Sequence, residues 1–435
     1  MSQQRAYILC RFANDSGIYS SWMDDCSYPT TVIDESLIDW PIPDDAGILI
    51  THMHYRWEEL TTLRKVLDRN NVPILILSDG ILEYRNTWEH PGLVDGSIFQ
   101  PLFGHKLACI GRGQARVVES WGNPGRCEIV GLPRFDSVDA AAIAPVQTTG
   151  PFRILIATAN TPAFDDQQRS TVVKSLQSIQ TWLKSNPTVN GRAIEVTWRL
   201  SDGLDVEIGL AEDSPAKDED EPDDRSPIGE VIESVDAVIT TPSTMYLESV
   251  MRKRPTALLD FHNSPHYVTA AWTINAAGQL DWLIGELESP PEHKMMFQEF
   301  VLADQLECLT PAKPRMFQLI DAMVAEGVAA RKEKRPLAFP PRILDDAQHG
   351  FATVPAGFDL ASLYANNEVF QQQEIQRLQV ELDAAIKRLG QLPNELGEKN
   401  RYIAKLNRTL DRSRDRVEEM HNRVVAIRKR FGVGE

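Results

Sequence analysis

The stretch DAVITTPSTMYLESV, residues 236–250, joins an apolar run directly to a helical pattern. Ala237, Val238 and Ile239 form the run, four hydroxyl-bearing residues and a proline follow, and Glu248 lies about one helical turn further on. A buried strand that turns into a helix is typical of a parallel α/β sheet, in which ligands bind at the carboxyl ends of the strands. Hydroxyls at such a turn cap the helix or bind phosphate, because the first N–H groups of a helix have no partner within it.

The same alternation of strand and helix extends along most of the chain. Apolar strand patterns occur in AYILCRF, AGILITHM, VPILILSDG, HKLACIG and CEIVGLP, and a second series runs through FRILIATAN, AIEVTWRL, DAVITT and PTALLDF. Amphipathic stretches such as RWEELTTLRKVLDRN separate these runs. Strands that alternate with helices predict parallel sheets covered on both faces. We therefore predict an α/β fold with two tandem Rossmann-like, doubly wound domains, residues 1–148 and 149–335.

Two segments depart from this pattern. Residues 211–227 are dense in carboxylates and broken by prolines, so we predict a solvated insertion in the second domain. After a linker at 336–367, we predict a C-terminal α-helical coiled coil over residues 368–435. Its apolar seam has a polar gap at Ser413, and Pro393 leaves open either a hairpin or two separate arms. Spacings of three, four and seven connect the seam residues Ile403, Leu406, Leu410, Val417, Met420, Val424, Ile427 and Phe431.

Charge and cysteine content limit the possible partners. The 435-residue chain has a net charge of −17, which argues against a general nucleic-acid binder. Basic residues outnumber acidic ones from Arg401 onward, which fits a solvated coiled-coil surface or a basic helix on an anionic membrane. Five scattered cysteines, no signal-peptide pattern and no long apolar run indicate a cytoplasmic protein. Peripheral contact with the inner face of the membrane is the alternative location.

Three segments carry a resemblance to a known class of enzymes. SVDAVITTPSTMYLESVMRKRPTALLDF resembles the donor-binding segment of glycosyltransferases of the GT-B type, which have two Rossmann domains. HKLACIGRGQARVVESWG and the following CEIVGLPRFD resemble the end of the first domain in that class. VGLPRFD is similar to a segment of bacterial surface-polysaccharide transferases and CDP-glycerol glycerophosphotransferases. The resemblance covers roughly residues 100–265. It implies that the hydroxyl-bearing turn and the following glutamate hold a nucleotide-sugar.

The chain also departs from the glycerophosphotransferases. Those enzymes usually have an aspartate, paired serines and a tyrosine in the donor turn, where this chain has TTPST. They tend to have a His-Pro pair after the second strand of the second domain, where this chain has WRLSDG. The differences favour a nucleotide-sugar over a CDP-polyol as donor, and they leave Arg199 as the phosphate-binding residue of that strand.

The predicted donor side consists of Arg199, Thr241, Ser243, Thr244 and Glu248. The guanidinium fork of Arg199 suits a diphosphate, because it donates hydrogen bonds in pairs. The sequence has no convincing DxD-like carboxylate pair, so we predict metal-independent transfer. No cofactor is predicted, because the nucleotide-sugar is a substrate.

The predicted acceptor side lies at two strand ends of the first domain. THMHYR follows one apolar strand and SDGILEYRNTWEHPG follows another, so both face the cleft in the predicted fold. We predict Asp79 or His54 as the catalytic base. Alternatively, His54 is a structural hydrogen-bonding residue and Asp79 only caps its turn. Further acceptor-side candidates in these two segments are His52, Glu83, Arg85 and His90.

The combined features predict a glycosyltransferase that moves a sugar from a nucleotide-sugar donor onto a growing surface polysaccharide or glycan. The acceptor is expected to be a glycan or a lipid-linked molecule, and the coiled coil is expected to make the enzyme a homo-oligomer. One alternative is a nucleotide-sugar 2-epimerase of the same fold. Another is a non-catalytic scaffold or binding protein that has a glycosyltransferase-like fold and oligomerises through its coiled coil.

Overall fold

The computed structural model describes residues 3–10, 17–34, 40–52, 54–69, 71–93, 98–139, 143, 145–147, 149–210, 227–344, 376, 379–380, 382–383, 387 and 403–419. The chain divides into two compact units, Met1–Phe358 and Asp359–Glu435. The predicted acidic insertion lies outside the described residues except for its last residue. The same holds for the linker beyond residue 344 and for most of the predicted coiled coil.

The amino-terminal half of the first unit is built on a six-stranded parallel sheet. Its strands are β1 (Arg5–Leu9), β2 (Thr30–Ile33), β3 (Ala46–Thr51), β4 (Ile74–Leu77), β5 (Lys106–Cys109) and β6 (Cys127–Ile129), and its helices are α1 (Gly17–Ser20), α2 (Trp57–Arg69), α3 (Tyr84–Trp88) and α4 (Arg112–Ser120). The strand order is β2-β1-β3-β4-β5-β6. β3, β4, β5 and β6 are buried at every position, as expected for strands covered on both faces.

The carboxyl-terminal half contains a second six-stranded sheet. Its strands are β7 (Phe152–Ala157), β8 (Thr188–Val189), β9 (Arg192–Arg199), β10 (Ala237–Thr240), β11 (Thr256–Leu259) and β12 (Trp272–Ile274), and its helices are α5 (Asp166–Ser185), α6 (Leu204–Glu207), α7 (Ile228–Ser234), α8 (Met245–Met251), α9 (Leu280–Glu288), α10 (Glu292–Gln305) and α11 (Ala312–Glu333). The order is β12-β11-β10-β7-β9-β8, and every pairing is parallel except that of β8 with β9. All nine strands predicted from the apolar runs are present, so the prediction of two parallel α/β sheets is confirmed.

The two faces of the first sheet are covered by different parts of the chain. Side chains alternate along β3, so that Leu49 packs towards α2 and α4 while Ile48 and Ile50 face the other way. The second face is covered by α11, which crosses back from the carboxyl-terminal half and buries Met316, Leu319, Ile320, Met323 and Val324 there. The sequence patterns do not predict this return crossing.

A short strap after α11 continues along the first half. The Nζ atom of Lys106 donates hydrogen bonds to the carbonyl oxygens of Pro340 and Pro341, at 2.7 and 3.2 Å. Lys106 also forms a buried ion pair with Glu128 at 2.7 Å. The Glu128 carboxylate accepts hydrogen bonds from the backbone N–H groups of Ile343 and Leu344. Residues 336–344, assigned to the linker from the sequence, therefore belong to the body of the first half.

An apolar cluster joins the two halves beside the sheets. α8 contributes Tyr246, Leu247 and Val250, and these residues pack with Ile110 and Leu132 of the first half. Because α8 begins at the carboxyl end of β10, this packing directs its first turn towards the first half. The same end of the second sheet therefore faces the carboxyl ends of the first-sheet strands.

The second unit is helical at residues 403–419, within the predicted coiled coil. Coiled-coil pairing and the homo-oligomer remain predictions. Among the described residues, no helix is long and apolar enough to cross a membrane.

Candidate functional site

Four charged residues meet where the carboxyl ends of the two sheets face each other. Asp79 follows β4, Arg134 follows β6, Arg199 ends β9, and Glu248 lies in α8 after β10. The guanidinium group of Arg134 donates a hydrogen bond to the backbone oxygen of Asp79 at 2.9 Å. Four strand ends thus bring two cations and two carboxylates to one place, as expected at the ligand-binding edge of an open parallel sheet.

Glu248 is the centre of the electrostatic interactions in this cluster. Burial raises the pKa of its carboxyl group above the ordinary value, while Arg252, Arg134 and Arg199 oppose that rise. Arg252 lies in contact with it, with Nη1 3.1 Å from Oε1. Arg134 comes from the first half, whereas Arg199 and Arg252 come from the second. Glu248 therefore experiences positive charge from both halves. The space between their facing sheet ends is called the gap below.

The hydroxyl groups of residues 240–244 mainly stabilise the turn between β10 and α8. The Thr241 hydroxyl oxygen accepts a hydrogen bond from the Ala159 backbone N–H at 2.8 Å. The Ser243 hydroxyl lies 3.2 Å from the hydroxyl oxygen of Thr240. Thr244 precedes α8 but makes no side-chain capping bond. The expectation that a hydroxyl caps this helix is therefore wrong for Thr244, because its side chain turns towards the first half.

Thr244 contacts the backbone of the first half directly. Its hydroxyl oxygen accepts a hydrogen bond from the N–H of Ile81 at 3.2 Å. Gly80 lies so close that a Cβ atom built on it would be 1.9 Å from the same oxygen. The beginning of α8 thus faces the other half, as predicted, but backbone from the first half occupies the space in front of it.

The predicted base Asp79 and the predicted base His54 lie in different environments. Asp79 is exposed at the end of β4, next to Arg134. His54 is only 1% exposed, and burial lowers its pKa to about 4. Its ring packs against Phe99 at 5.1 Å between centroids, and backbone groups of His52 and Ile98 oppose part of the lowering of its pKa. Of the two, Asp79 is the one with access to a substrate in the gap.

His52 forms a pair with Tyr19. The ring Nδ1 of His52 lies 2.8 Å from the Tyr19 phenol oxygen, which also accepts the backbone N–H of His52 at 2.8 Å. Burial raises the pKa of Tyr19 well above its ordinary value, so the phenol stays protonated at neutral pH. The pair lies on the first-half side of the gap, and the charge of Asp79 reaches both Tyr19 and His54.

The remaining acceptor-side candidates lie in a bridging segment, residues 80–90, that contacts the second half. Arg85 is 3% exposed, pairs with Glu83 at 2.8 Å and donates a hydrogen bond to the Pro162 carbonyl oxygen at 3.0 Å. Its Nη1 atom also lies 3.1 Å from Nε2 of His262. The Glu83 carboxylate caps α3 by accepting the Asn86 N–H. Arg85 thus links the two halves, whereas Glu83 holds Arg85 and caps α3 within its own segment.

His90 has a similar position at the other end of the bridging segment. Its ring packs between Tyr55 of the first half and Phe164 of the second, with centroids 4.8 and 4.9 Å away. Its Nδ1 accepts the Gly92 N–H at 2.9 Å. Burial lowers the pKa of His90, and the charge of Arg56 lowers it further. His90 therefore contributes an aromatic contact between the halves.

Two charged residues of the site, Arg134 and Asp260, were not predicted from the sequence. Arg134 lies in the VGLPRFD segment, and a cation shortly after a predicted strand was the feature that could have indicated it. Asp260 follows β11, and its Oδ2 lies 3.0 Å from Nε2 of His266. Burial raises the pKa of Asp260, but contacts with His266 and the charges of Arg85 and His262 outweigh this effect and hold it below its ordinary value.

Two small pockets flank the charged cluster. One, of about 10 Å³ and partly open to solvent, lies at the carboxyl ends of β4, β5 and β6 and has Arg134 and Ser78 in its wall. The other, also of about 10 Å³, lies between the bridging segment and the loop after β11, beside Asp260 and His266. Within the described residues, no group of three or more histidine, cysteine or acidic side chains has an arrangement suited to a metal ion.

Solved structures resemble this chain at very low sequence identity. Staphylococcus aureus MnaA in complex with UDP has a TM-score of 0.50 at 11% identity, over 75% of this chain and 97% of its own. The wall teichoic acid polymerase TagF has a TM-score of 0.47 at 11% identity, over 75% and 90%. The UDP-GlcNAc 2-epimerase of Methanocaldococcus jannaschii, in complex with UDP-GlcNAc and UDP, has a TM-score of 0.45 at 9% identity, over 73% and 99%. No family profile and no curated protein sequence matches the chain.

The chain has a fold of the GT-B type. At these identities the likeness establishes the arrangement of the two Rossmann-like halves, and it does not establish a reaction. The functional argument therefore depends on the residues of the site itself.

Proposed function

We propose that this protein is a glycosyltransferase that binds a nucleotide-sugar between its two halves and moves the sugar onto a glycan or lipid-linked acceptor. The observation that carries the proposal is the position of Arg134 and Arg199 on opposite sides of the gap, both acting on Glu248, with Asp79 beside them. A surface polysaccharide is the proposed product. The structure of MnaA with UDP supports the proposal through its fold alone.

Arg134 and Arg199 are the proposed ligands of the donor diphosphate. Guanidinium groups form paired, charge-assisted hydrogen bonds with phosphate oxygens. Each arginine belongs to a different half, so the diphosphate draws the two halves together around the reacting bond. Because two cations supply the charge that a leaving diphosphate needs, we propose transfer without a metal ion.

Glu248 and the turn before it are proposed to hold the rest of the donor. The half-buried carboxylate of Glu248 can accept hydrogen bonds from ribose hydroxyls, and Arg252 fixes its orientation. The Ser243 hydroxyl has one hydroxyl neighbour and remains half-exposed, so it is available to a phosphate oxygen. Thr244 can take part only after its contact with Ile81 is broken.

Asp79 is proposed to take the proton of the acceptor. In this step the acceptor hydroxyl oxygen bonds to the anomeric carbon and its proton passes to the Asp79 carboxylate. The bond from that carbon to the diphosphate oxygen breaks, and its electron pair leaves with the diphosphate. The small solvent-open pocket that Arg134 and Ser78 line in the first half is the proposed place of the acceptor hydroxyl.

Nucleotide binding provides the first experiment. We expect UDP- or CDP-type diphosphates to raise the melting temperature of the full chain, since a ligand that binds only the native state stabilises it. Arg134→Ala and Arg199→Ala should each weaken binding roughly 10- to 100-fold, the loss of a charge-assisted hydrogen bond. Arg64→Ala is the matched control, because Arg64 is exposed and pairs with Asp68 on the surface of α2. A flat response to every nucleotide diphosphate contradicts the proposal.

A product assay then separates the possible reactions. Incubation with a radiolabelled nucleotide-sugar and a glycan acceptor should give a labelled polymer and free nucleoside diphosphate. Conversion of the nucleotide-sugar to an epimer without an acceptor identifies a 2-epimerase. Nucleotide binding without turnover identifies a binding protein.

A further inference from the structure

The loop that carries Asp79 is fixed to its own half by the side chain of Gln114. Gln114 lies in α4 and is 2% exposed. Its Nε2 atom donates hydrogen bonds to the Ser78 hydroxyl oxygen at 2.7 Å and to the Gly80 carbonyl oxygen at 3.1 Å. Its Oε1 atom accepts the backbone N–H of Ile110 at 2.9 Å. Because the amide uses both of its N–H groups and its oxygen, its orientation is determined.

Further hydrogen bonds hold the same loop on its other sides. The Ser78 hydroxyl donates to the Gly80 carbonyl oxygen at 3.1 Å, and the Ser78 N–H donates to the Ala108 carbonyl oxygen at 3.1 Å. The backbone oxygen of Asp79 accepts the hydrogen bond from Arg134. Ser78 and Gly80 are buried, whereas Asp79 between them is exposed. The backbone is therefore anchored on both sides of the exposed carboxylate.

The peptide group between Gly80 and Ile81 extends this network to the second half. In a trans peptide such as this one, the C=O and the N–H point in opposite directions. Gln114 holds the C=O, and the N–H on the opposite side donates to the Thr244 hydroxyl. A rotation of this peptide plane would break hydrogen bonds on both sides at once. The direction of the Ile81 N–H therefore depends on Gln114.

The position of this loop matters for proton transfer. A catalytic group that is misplaced by about 1 Å can lower a rate about 100-fold. Asp79 lies between the two residues that Gln114 holds, so a loosened loop displaces its carboxylate directly. Arg199 and Glu248 belong to the second half, so binding of the donor should be affected much less.

We propose that Gln114 is a positioning residue, which holds the Asp79 carboxylate at the acceptor through the Ser78 hydroxyl and the Gly80 carbonyl oxygen. Its role in the reaction rests on the proposed function, whereas the fixing of the loop is a property of the fold. The two parts are measured in separate experiments.

Hydrogen exchange of the full-length protein tests the fixing of the loop without any substrate. Gln114→Leu removes all three hydrogen bonds of the amide, so amide exchange in residues 78–82 should become at least about tenfold faster. Gln114→Glu keeps an oxygen for the Ile110 N–H and is the variant to use where Gln114→Leu does not fold. A carboxyl group has at most one O–H donor in place of two N–H donors, so at least one bond to the loop is lost and exchange should again be faster.

Asn123 provides a matched control in the same half. It is also 2% exposed, and its Nδ2 atom donates to the carbonyl oxygens of Phe99 and Val118 while its Oδ1 atom accepts the Leu102 N–H. Asn123→Leu and Asn123→Asp therefore remove similar buried hydrogen bonds at a different place. They should lower the stability comparably and leave exchange in residues 78–82 unchanged.

Kinetic measurements below the melting temperature test the role in the reaction. In both Gln114 variants we expect kcat to fall roughly 10- to 100-fold, because the base is misplaced. The Kd for UDP, measured by calorimetry, should change by less than about threefold, since a group that acts only in the transition state does not contribute to ground-state binding. The Asn123 variants should keep the parental kcat.

Three results would overturn the proposal. Unchanged exchange of residues 78–82 in both Gln114 variants would show that the amide does not fix the loop. Equally fast exchange in the Asn123 variants would show a general loss of stability. Faster exchange combined with the parental kcat would show that transfer does not depend on the fixed loop. A parent protein that transfers no sugar refutes the proposed function and with it the kinetic role, whereas the exchange data still decide whether Gln114 fixes the loop.

Discussion

The backbone N–H of Ile81 donates a hydrogen bond to the hydroxyl of Thr244, at 3.2 Å, and so links the two halves at the start of α8. This contact occupies the place where the sequence predicts a donor phosphate. A phosphate can bind the Thr244 hydroxyl only when residues 80 and 81 withdraw from it. The structure therefore represents a closed arrangement of the halves around the charged cluster.

Gly80→Ala is expected to force the halves apart. The new Cβ atom would lie 1.9 Å from the Thr244 hydroxyl oxygen, so the unfolding free energy should fall by about 1–3 kcal/mol. Small-angle scattering should show a larger radius of gyration. Adding Thr244→Ala should restore both values, because the nearest remaining Thr244 atom is Cβ at 3.3 Å. Gly285→Ala is the control, since its nearest neighbour lies 3.9 Å away. If the radius of gyration of Gly80→Ala equals that of the parent protein, the close contact between Gly80 and Thr244 is refuted.

Asp79→Asn is expected to lower kcat by about two to four orders of magnitude, because an amide cannot take the acceptor proton. Donor affinity should change little, since Asp79 is not a proposed diphosphate ligand. Steady-state kinetics and calorimetric titration measure the two quantities separately. Asp68→Asn, an exposed change on α2, serves as the control. Unchanged turnover in Asp79→Asn would exclude this residue as the base.

Acidification is expected to destabilise the protein through buried histidines. The His105 Nδ1 accepts the Ile74 N–H at 3.0 Å, and burial, followed by the charge of Arg126, lowers its pKa to about 4. In the unfolded chain a histidine titrates near pH 6.5. The neutral folded form is therefore fully favoured above about pH 6.5, and its contribution is lost as the pH falls towards about 4. His54, with a pKa of about 4, adds a loss of the same sign.

His105→Asn isolates this contribution. The Asn side-chain oxygen can still accept the Ile74 N–H but does not titrate. We expect the decrease in unfolding free energy between about pH 7 and about pH 5 to become smaller by up to about 2 kcal/mol. Urea unfolding at several pH values measures it. A variant that loses stability with pH as steeply as the parent would show that His105 is not responsible.

Removing one partner of the buried Lys106–Glu128 pair is expected to be costly. Both side chains are 1% exposed, so Glu128→Ala leaves an uncompensated buried ammonium group and should cost about 3–5 kcal/mol in urea unfolding. Proteolysis should also cleave the strap at residues 336–344 more quickly. The double change Lys106→Met/Glu128→Leu should cost less than Glu128→Ala alone. Equal losses in the single and double variants would mean that the strap bonds alone account for the effect.

Much of the fold is predictable because parallel strands have a strong local signature. Runs such as ILIL in β4 and AVIT in β10 are buried on both faces, and their apolar character is visible without any partner. The sequence does not reveal β2 in the same way, because three of its four residues are only half-buried. The packing of α11 on the first sheet is also not predictable, because the apolar pattern of a helix does not indicate which sheet it covers.

Part of the candidate site is predictable because residues at strand ends are recognisable from the sequence alone. Arg199 and Glu248 lie near strand ends, and the topology brings them together. His54 also follows a strand, but its burial depends on Phe99, which is distant in sequence. Arg85 has the polar character of a substrate-binding residue, yet its partners Pro162 and His262 come from the other half. Contacts between distant segments decide such roles, and a single sequence does not contain them.

The return of α11 also has a consequence for synthesis of the chain on the ribosome. One face of the first sheet is only partly covered, by Tyr19, Trp22 and their neighbours, until residues 312–344 have been made, which is after the whole second sheet. A fragment that ends near residue 148 leaves Ile8, Ile48 and Ile50 without the part of their cover that α11 supplies. The nascent protein therefore completes its amino-terminal half last, and a gene cut at the predicted domain boundary should yield an aggregation-prone product.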